Sequence, residues 1–257
     1  MVGIRLLDNV LDHSNYPLRR QAEEATMKRR VGLGITGLAD ALIMCGVRYG
    51  SVEAQKLTHH WLKIFQEASY LSSSEIASEK GAFPLYNEKE YLSAKVFKNI
   101  NSEIKATIRK KGIRNGALNS VAPTGTISLY AGNISSGIEP VYSFEVTRKI
   151  LLPDGTDRVM ELNDYAIELY RKINKTRNDL PDYFVTAEEL DPKDHVTMQA
   201  IAQSYIDASI AKTINCPEKI LFEEFKDVYM QAYRLGCKGC TTYRPSEVRG
   251  HVLQKKG

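Results

Sequence analysis

The stretch from Ser51 to Gly81 limits the possible folds more than any other. Leu57, Trp61, Ile64, Phe65, Ala68 and Leu71 recur at the three-to-four-residue spacing of a single helix face. Ser51 can cap the first turn, and Gly81 supplies the stop. A helix with so long an apolar face must be covered by other elements. Two more such faces follow. Met198, Ile201, Ala202, Tyr205, Ile206 and Ile210 predict a helix that continues until Pro217 forbids it, and Phe222, Phe225, Val228, Tyr229 and Ala232 predict one that stops near Gly236. The strands able to receive these faces are few. SFEVTRKILL at 143–152, followed by the turn PDGT, reads as one arm of a hairpin, and YFVTA at 183–187 and CTTYR at 240–244 read as short strands. The class is α/β with helices covering strands. A closed α/β barrel needs about eight or more strands, and only about half that number is legible. The chain therefore reads as incomplete on its own, its sheet finished by another polypeptide.

Composition excludes several classes. The 257 residues are 43% hydrophobic and 26% charged, which suits a protein with a packed core. The net charge of +4 is slight and dispersed, so no nucleic-acid surface is indicated. The basic runs KRR at 28–30 and RKKGIR at 109–114 are expected to be solvated faces. Met1 leads directly into the amphipathic VGIRLLDNVLD, no apolar run approaches a membrane span, and four cysteines are too few for a disulfide scaffold. These features predict a reduced, cytoplasmic protein with no membrane partner.

RRVGLGITGLADAL at 29–42 spaces Gly32, Gly34 and Gly37 as G-x-G-x-x-G. A dinucleotide-binding turn needs an apolar strand before the first glycine and an acid on a second strand about 20 residues later. The preceding EEATMKRR reads as helical, and Glu53 falls in the first turn of the long helix. The glycines are expected to serve packing or backbone geometry instead.

Chemistry concentrates in RNGALNSVAPTGTISLYAGNISSGIEPVYS at 114–143. Pro123, Thr124, Gly125, Thr126 and Ile127 place backbone N–H groups and hydroxyls around a glycine at a helix start. Such an arrangement can cradle phosphate without a basic side chain, and it can equally be a capped loop. The second loop, Asn133 to Pro140, is also small and polar. Cys237 and Cys240 form a C-x-x-C that lacks a second ligand pair for zinc and follows a helix rather than opening one, so buried structural thiols are expected. Cys45, Cys216 and His251 stand apart. His59 and His60 read as solvated, and His195, in an acidic helix start, as a cap.

Six segments in this order resemble the C-terminal half of the catalytic barrel of ribonucleotide reductases, most closely the adenosylcobalamin-dependent class II enzymes. They are IRLLDNVLD, RRVGLGITGLADAL, EKGAFPLY, RNGALNSVAPTGTISLYAGNISSGIEP, LDPKDHVTMQAIAQSYIDASIAKTIN and GCKGCTTYRPSEVRG. The resemblance implies that residues 1–257 belong to the second half of a ten-stranded α/β barrel. It also implies ribonucleotide reduction by thiyl-radical chemistry, adenosylcobalamin as the complete enzyme's cofactor, and a partner polypeptide carrying the N-terminal half. Pro123, Thr124, Gly125, Thr126 and Ile127 match the family loop that binds substrate phosphates. Cys240, Thr241 and Thr242 match the last barrel strand, facing the cofactor. Reductases that receive their radical from a second protein carry a tyrosine pair at the positions of Thr241 and Thr242, so threonines fit local radical generation. The family's N-x-C-x-E motif around the radical cysteine is absent. Asn215-Cys216-Pro217 reverses its order, and neither Cys237 nor Cys240 matches a redox cysteine. The chain alone is thus expected to be inactive, with no catalytic residue and no metal site of its own. The alternative is a non-catalytic regulatory or assembly module derived from the reductase.

Overall fold

The computed structural model describes residues 1–98, 100–151, 155–175, 179–245 and 254–255. His251 and the first two residues of the PDGT turn lie outside them. The described chain forms two compact units: 1–34, 59–121 and 201–210 make the first, and 35–58, 122–200 and 211–257 make the second.

The first unit contains α1 (Val2–His13), α2 (Arg19–Lys28), residues 59–80 of α4 (Val52–Lys80), α5 (Glu88–Ser93) and α6 (Ser102–Lys111). The predicted ends of α4 hold. Ser51 Oγ accepts from the Ala54 amide at 3.1 Å, and Gly81 ends the helix with φ +83°. Ile4, Tyr70, Ile76, Phe97, Ile108 and Leu118 form the core. Residues 31–33 run parallel to 117–120, with a bridge between Leu33 and Asn119.

That pairing accounts for the first two glycines of the G-x-G-x-x-G run. A Cβ on Gly34 would lie 2.2 Å from the Ser120 carbonyl oxygen, and one on Gly32 would lie 2.5 Å from Ser120 Oγ. They permit two backbones to touch, as expected, and α2 precedes them rather than a strand.

The solvated reading of the basic runs fails at two residues. Arg29 is buried, and its Nε donates to Asp8 Oδ1 at 2.9 Å while a terminal nitrogen reaches Asp12 at 2.8 Å. Arg114 Nε donates to Asp8 Oδ2 at 3.2 Å and Asn115 Nδ2 to Asp8 Oδ1 at 3.0 Å. Asp8 is fully buried, and these three partners keep its charge tolerable there.

In the second unit lie α3 (Leu38–Met44), α7 (Gly125–Tyr130), β1 (Glu145–Leu151), β2 (Asp157–Asn163), α8 (Tyr165–Asn174), most of α9 (Pro192–Gln203), β3 (Thr213–Asn215), α10 (Phe222–Arg234), β4 (Thr241–Tyr243) and β5 (Gln254–Lys255). The hairpin is antiparallel, Glu145 facing Asn163 and Leu151 facing Asp157, and β5 pairs with the other edge of β1. β3 and β4 form a separate parallel pair. Both sheets are open. The content is mixed α/β, as expected. Among the described residues no helix is long and apolar enough to cross a membrane.

Two expected elements change. α9 ends at Gln203 rather than running past Ile210. The Gln203 amide donates to the carbonyls of Ile206 and Ala208, and Asp207 receives Tyr70 Oη at 2.6 Å and the amides of Leu118 and Asn119. These side-chain bonds replace the next helical turn. Residues 183–187 form only a bridge between Val141 and Thr186, because Glu189 takes both the amide and the hydroxyl of Thr186 at 2.7 Å and turns the chain. β3 had no signal in the sequence beyond three residues, too few for periodicity to register.

Candidate functional site

Three polar loops of the second unit are held by their own hydroxyls. Thr124 precedes α7 with φ +54°, a left-handed conformation unusual for a β-branched residue. Its hydroxyl is fully used: Gly137 N donates to Thr124 Oγ1 at 2.7 Å and to Thr36 Oγ1 at 3.0 Å, and the two threonine oxygens lie 2.9 Å apart. Gly37, the last glycine of the G-x-G-x-x-G run, has φ +80° at the start of α3 and donates to the Ser135 carbonyl at 2.8 Å. Ser128 Oγ bonds the Gly125 carbonyl and Ser136 Oγ. Loops 35–37, 122–128 and 133–137 therefore form one stapled surface.

On that surface Pro123, Gly125, Thr126 and Ile127 are exposed and Thr124 half-buried. Among the described residues nothing accepts from the amides of Gly125, Thr126 and Ile127. A Cβ on Gly125 would meet no atom within 4 Å, and its φ is not positive. Neither packing nor backbone conformation within the chain requires glycine there.

Beneath the loops Asp40 and Asp164 meet, both buried. Asp40 Oδ2 receives the Ser135 amide at 2.6 Å; Asp40 Oδ1 and Asp164 Oδ1 both receive the Ala166 amide, at 3.2 and 3.0 Å. Burial first, and then the Asp40 carboxylate, push Asp164 up to about 8, so it holds a proton at neutral pH.

A second buried node supports the 133–140 loop. The Lys212 ammonium donates to Glu139 Oε2 at 2.9 Å, His195 Nδ1 at 2.9 Å and the Thr213 carbonyl at 3.0 Å. Glu139 Oε1 accepts from the Thr213 amide. His195 corrects the capping assignment. It is fully buried, and with Nδ1 accepting from Lys212, its Nε2–H donates to the Ala187 carbonyl at 3.0 Å. Burial, reinforced by Lys212, lowers it to about 3, so the ring is neutral. Lys212 and Ala187 are remote from His195 in sequence, so its local acidic context could not reveal this role.

The thiols are placed as expected for structural ones. Cys216 is buried in a cluster with Val196, Ile214, Val228 and Ala232, and Cys237 and Cys240 pack half-buried against it. Burial pushes the Cys237 thiol up to about 11 and raises Cys216 and Cys240 as well. Cys45 is exposed. Of the three β4-region residues, Thr241 is exposed, Cys240 turns toward this cluster, and Thr242 Oγ1 lies 2.9 Å from Tyr229 Oη on α10. His60 is exposed, and exposed His59 bonds Tyr205 Oη through Nδ1 at 2.7 Å. Among the described residues no group of three or more His, Cys, Asp or Glu is arranged to hold a metal ion.

Comparison with known proteins gives a consistent set. The family model described as "Ribonucleotide reductase, barrel domain" matches residues 1–243. A vitamin B12-dependent ribonucleoside-diphosphate reductase of Mycobacterium tuberculosis is 33% identical over 98% of this chain and 36% of its own length. One of the same description from Thermoplasma acidophilum is 33% identical over 97% of this chain and 32% of its length. A ribonucleoside-diphosphate reductase subunit alpha of Chlamydia pneumoniae is 26% identical over 94% of this chain. The chain spans about a third of the length of the curated relatives it matches.

Proposed function

The chain belongs to the ribonucleotide reductase barrel-domain family, and from that premise we propose that it is the C-terminal part of the catalytic barrel of an adenosylcobalamin-dependent ribonucleoside-diphosphate reductase. The N-terminal half of the ten-stranded barrel and the radical cysteine belong to sequence outside these 257 residues, in a partner polypeptide or in the rest of a longer chain. This chain supplies the substrate's phosphate-binding loop, Pro123 to Ile127, and contributes no catalytic residue. Its four free thiols suit a reduced, cytoplasmic setting.

Gly125 carries this reading. An exposed glycine in a first helical turn, with open space where its Cβ would be, has no structural reason in the chain. Close approach of a ligand to the backbone supplies one. The flanking amides of Thr126 and Ile127 and the Thr126 hydroxyl are donors for phosphate oxygens. Thr124 has a different task, because its hydroxyl is already committed to Gly137 and Thr36. It holds the loop in shape.

The donor set near β4 fits adenosylcobalamin. Thr241 presents an open hydroxyl, and the thiols nearby are held protonated, so none competes for the cobalt. In this reading Thr241 is the member of the Cys240–Thr242 stretch that faces the cofactor, while Cys240 and Thr242 turn toward α10. When bound, that group supplies the radical from which the partner's thiyl forms. This chain's residues bind and orient the substrate for the ribose chemistry that replaces the 2′ hydroxyl by hydrogen.

The test is nucleotide affinity in the complex of this chain with the rest of the reductase. Thr126→Ala removes one hydrogen bond to a charged acceptor, worth about 1.5–3 kcal/mol, or roughly 10- to 100-fold in affinity. Gly125→Pro removes an amide donor and is expected to abolish binding. Unchanged affinity in a folded Gly125→Pro complex rejects the phosphate assignment.

A further inference from the structure

α3 begins without a cap of its own. Its N-cap, Gly37, has no side chain, and Ser135 Oγ from the 133–137 loop accepts from the Ala39 and Asp40 amides at 3.2 and 3.4 Å instead. Asp40, at the third helical position, returns the bond by accepting from the Ser135 amide at 2.6 Å. This is the reciprocal exchange of a capping box, with its serine supplied by a distant segment. The Ser135 carbonyl completes the tie, accepting from the Gly37 amide at 2.8 Å and from Thr36 Oγ1 at 3.0 Å. Thr36 Oγ1 and Thr124 Oγ1 in turn both receive the Gly137 amide. Asp40 therefore reaches the phosphate loop through Ser135.

The other Asp40 oxygen shares the Ala166 amide with Asp164 Oδ1, so two buried carboxyls converge on one donor. Among the described residues no cation pairs with either. α3 carries no other charge, and the 35–37 and 133–137 loops carry none. On α8 the Glu168 carboxylate accepts from Asn163 Nδ2, Arg171 pairs with Glu145, and Lys172 is exposed. Two buried carboxylates in such contact cannot both stay ionised. Asp40 uses both of its oxygens as acceptors, so the proton lies on Asp164. Burial and the Asp40 charge raise that group to about 8.

We propose that Asp40 and Asp164 are positioning residues for the phosphate site: one proton held between their carboxyls keeps Ser135, and through it Thr124, in the arrangement that receives phosphate. The inference rests on the phosphate reading above. Loss of the proton sets two anions against each other. Asp40 is then pushed off the Ser135 amide, and the staple of Thr36, Gly137 and Thr124 loosens with it.

The experiment measures CDP affinity of the complex with the rest of the reductase by equilibrium dialysis from pH 7.5 to 9, where the diphosphate is already ionised. The proton is present below about pH 8 and lost above it, so wild-type affinity is expected to fall up to about eightfold over that interval. Asp164→Asn keeps an N–H donor toward Asp40 at every pH, and its affinity is expected to stay flat. Glu168→Gln, one turn along α8, is expected to titrate as the wild type does. If wild type and Asp164→Asn fall in parallel, or neither falls, the inference is overturned. Absent CDP binding, or binding that ignores Gly125→Pro, overturns the phosphate reading instead, and a second readout then tests the proton by itself. Hydrogen exchange of the 133–137 segment, taken as the ratio of wild type to Asp164→Asn so that base catalysis cancels, is expected to rise up to about eightfold from pH 7.5 to 9. A constant ratio overturns the shared proton.

Discussion

Replacing His195 with glutamine tests the buried node by its proton linkage. The ring titrates near 6.5 when unfolded and is lowered to about 3 in the fold. Between those values the unfolded chain binds a proton that the folded chain does not, so stability is lost as pH falls from about 6.5 toward 3. Integrating one proton at about 1.36 kcal/mol per pH unit from pH 7 to pH 5 gives roughly 1.9 kcal/mol. The figure barely depends on the folded value, because pH 5 is well above it. Asp164 has the opposite sign. Its folded pKa is raised to about 8, so between about 4 and 8 it costs stability as pH rises. The two slopes offset each other below about pH 6.5, and wild-type stability alone conceals both. The difference between wild type and His195→Gln isolates the histidine. Urea unfolding followed by circular dichroism at pH 7 and pH 5 reads it. The variant is expected to lose about 1.9 kcal/mol less than wild type over that interval. Equal losses would refute the neutral buried imidazole and the Lys212 contact that fixes its tautomer.

Asp164→Asn is expected to remove the decline in stability between pH 6.5 and 8, since no proton remains to be lost there; urea midpoints across that range check it. Asp8→Ala leaves Arg114 without its carboxylate and Arg29 with Asp12 alone, and breaking this buried network is expected to cost up to about 3–5 kcal/mol, measured as a fall in urea midpoint. With iodoacetamide at pH 8, exposed Cys45 is expected to react first, and Cys216, Cys237 and Cys240, whose thiols burial keeps protonated, much more slowly. Peptide mapping of the alkylated chain reads the order.

The sequence showed most where the signal was local. The cap at Ser51 and the stops at Gly81 and Gly236 involve residues within a few turns of one another, and all appear in the fold. The apolar face read for α4 is not the one it buries: Ile64 and Leu71 are exposed, and Leu62, Gln66, Ser69 and Tyr70 are buried instead. What it concealed depends on partners distant in the chain. α9 stops early because Gln203 and Asp207 find other acceptors and donors. Arg29 and Arg114 looked like members of solvated runs until Asp8 paired with both. His195 became a core residue through Lys212 and Ala187. At the phosphate loop the pattern of hydroxyls and glycine was legible. That Thr124 staples the loop while Thr126 stays free was not, because the staple is Gly137. Alternation on β4 likewise separates Thr241 from Thr242 only once Ile214 and Tyr229 mark the covered face.

The most direct test of the central claim measures deoxyribonucleotide formed from a ribonucleoside diphosphate with adenosylcobalamin and a dithiol. Three samples are compared: this chain alone, the chain joined with the polypeptide carrying the remaining barrel, and that complex with Gly125→Pro. Product is expected from the wild-type complex only. Product from the isolated chain, or equal turnover by the Gly125→Pro complex, would contradict it.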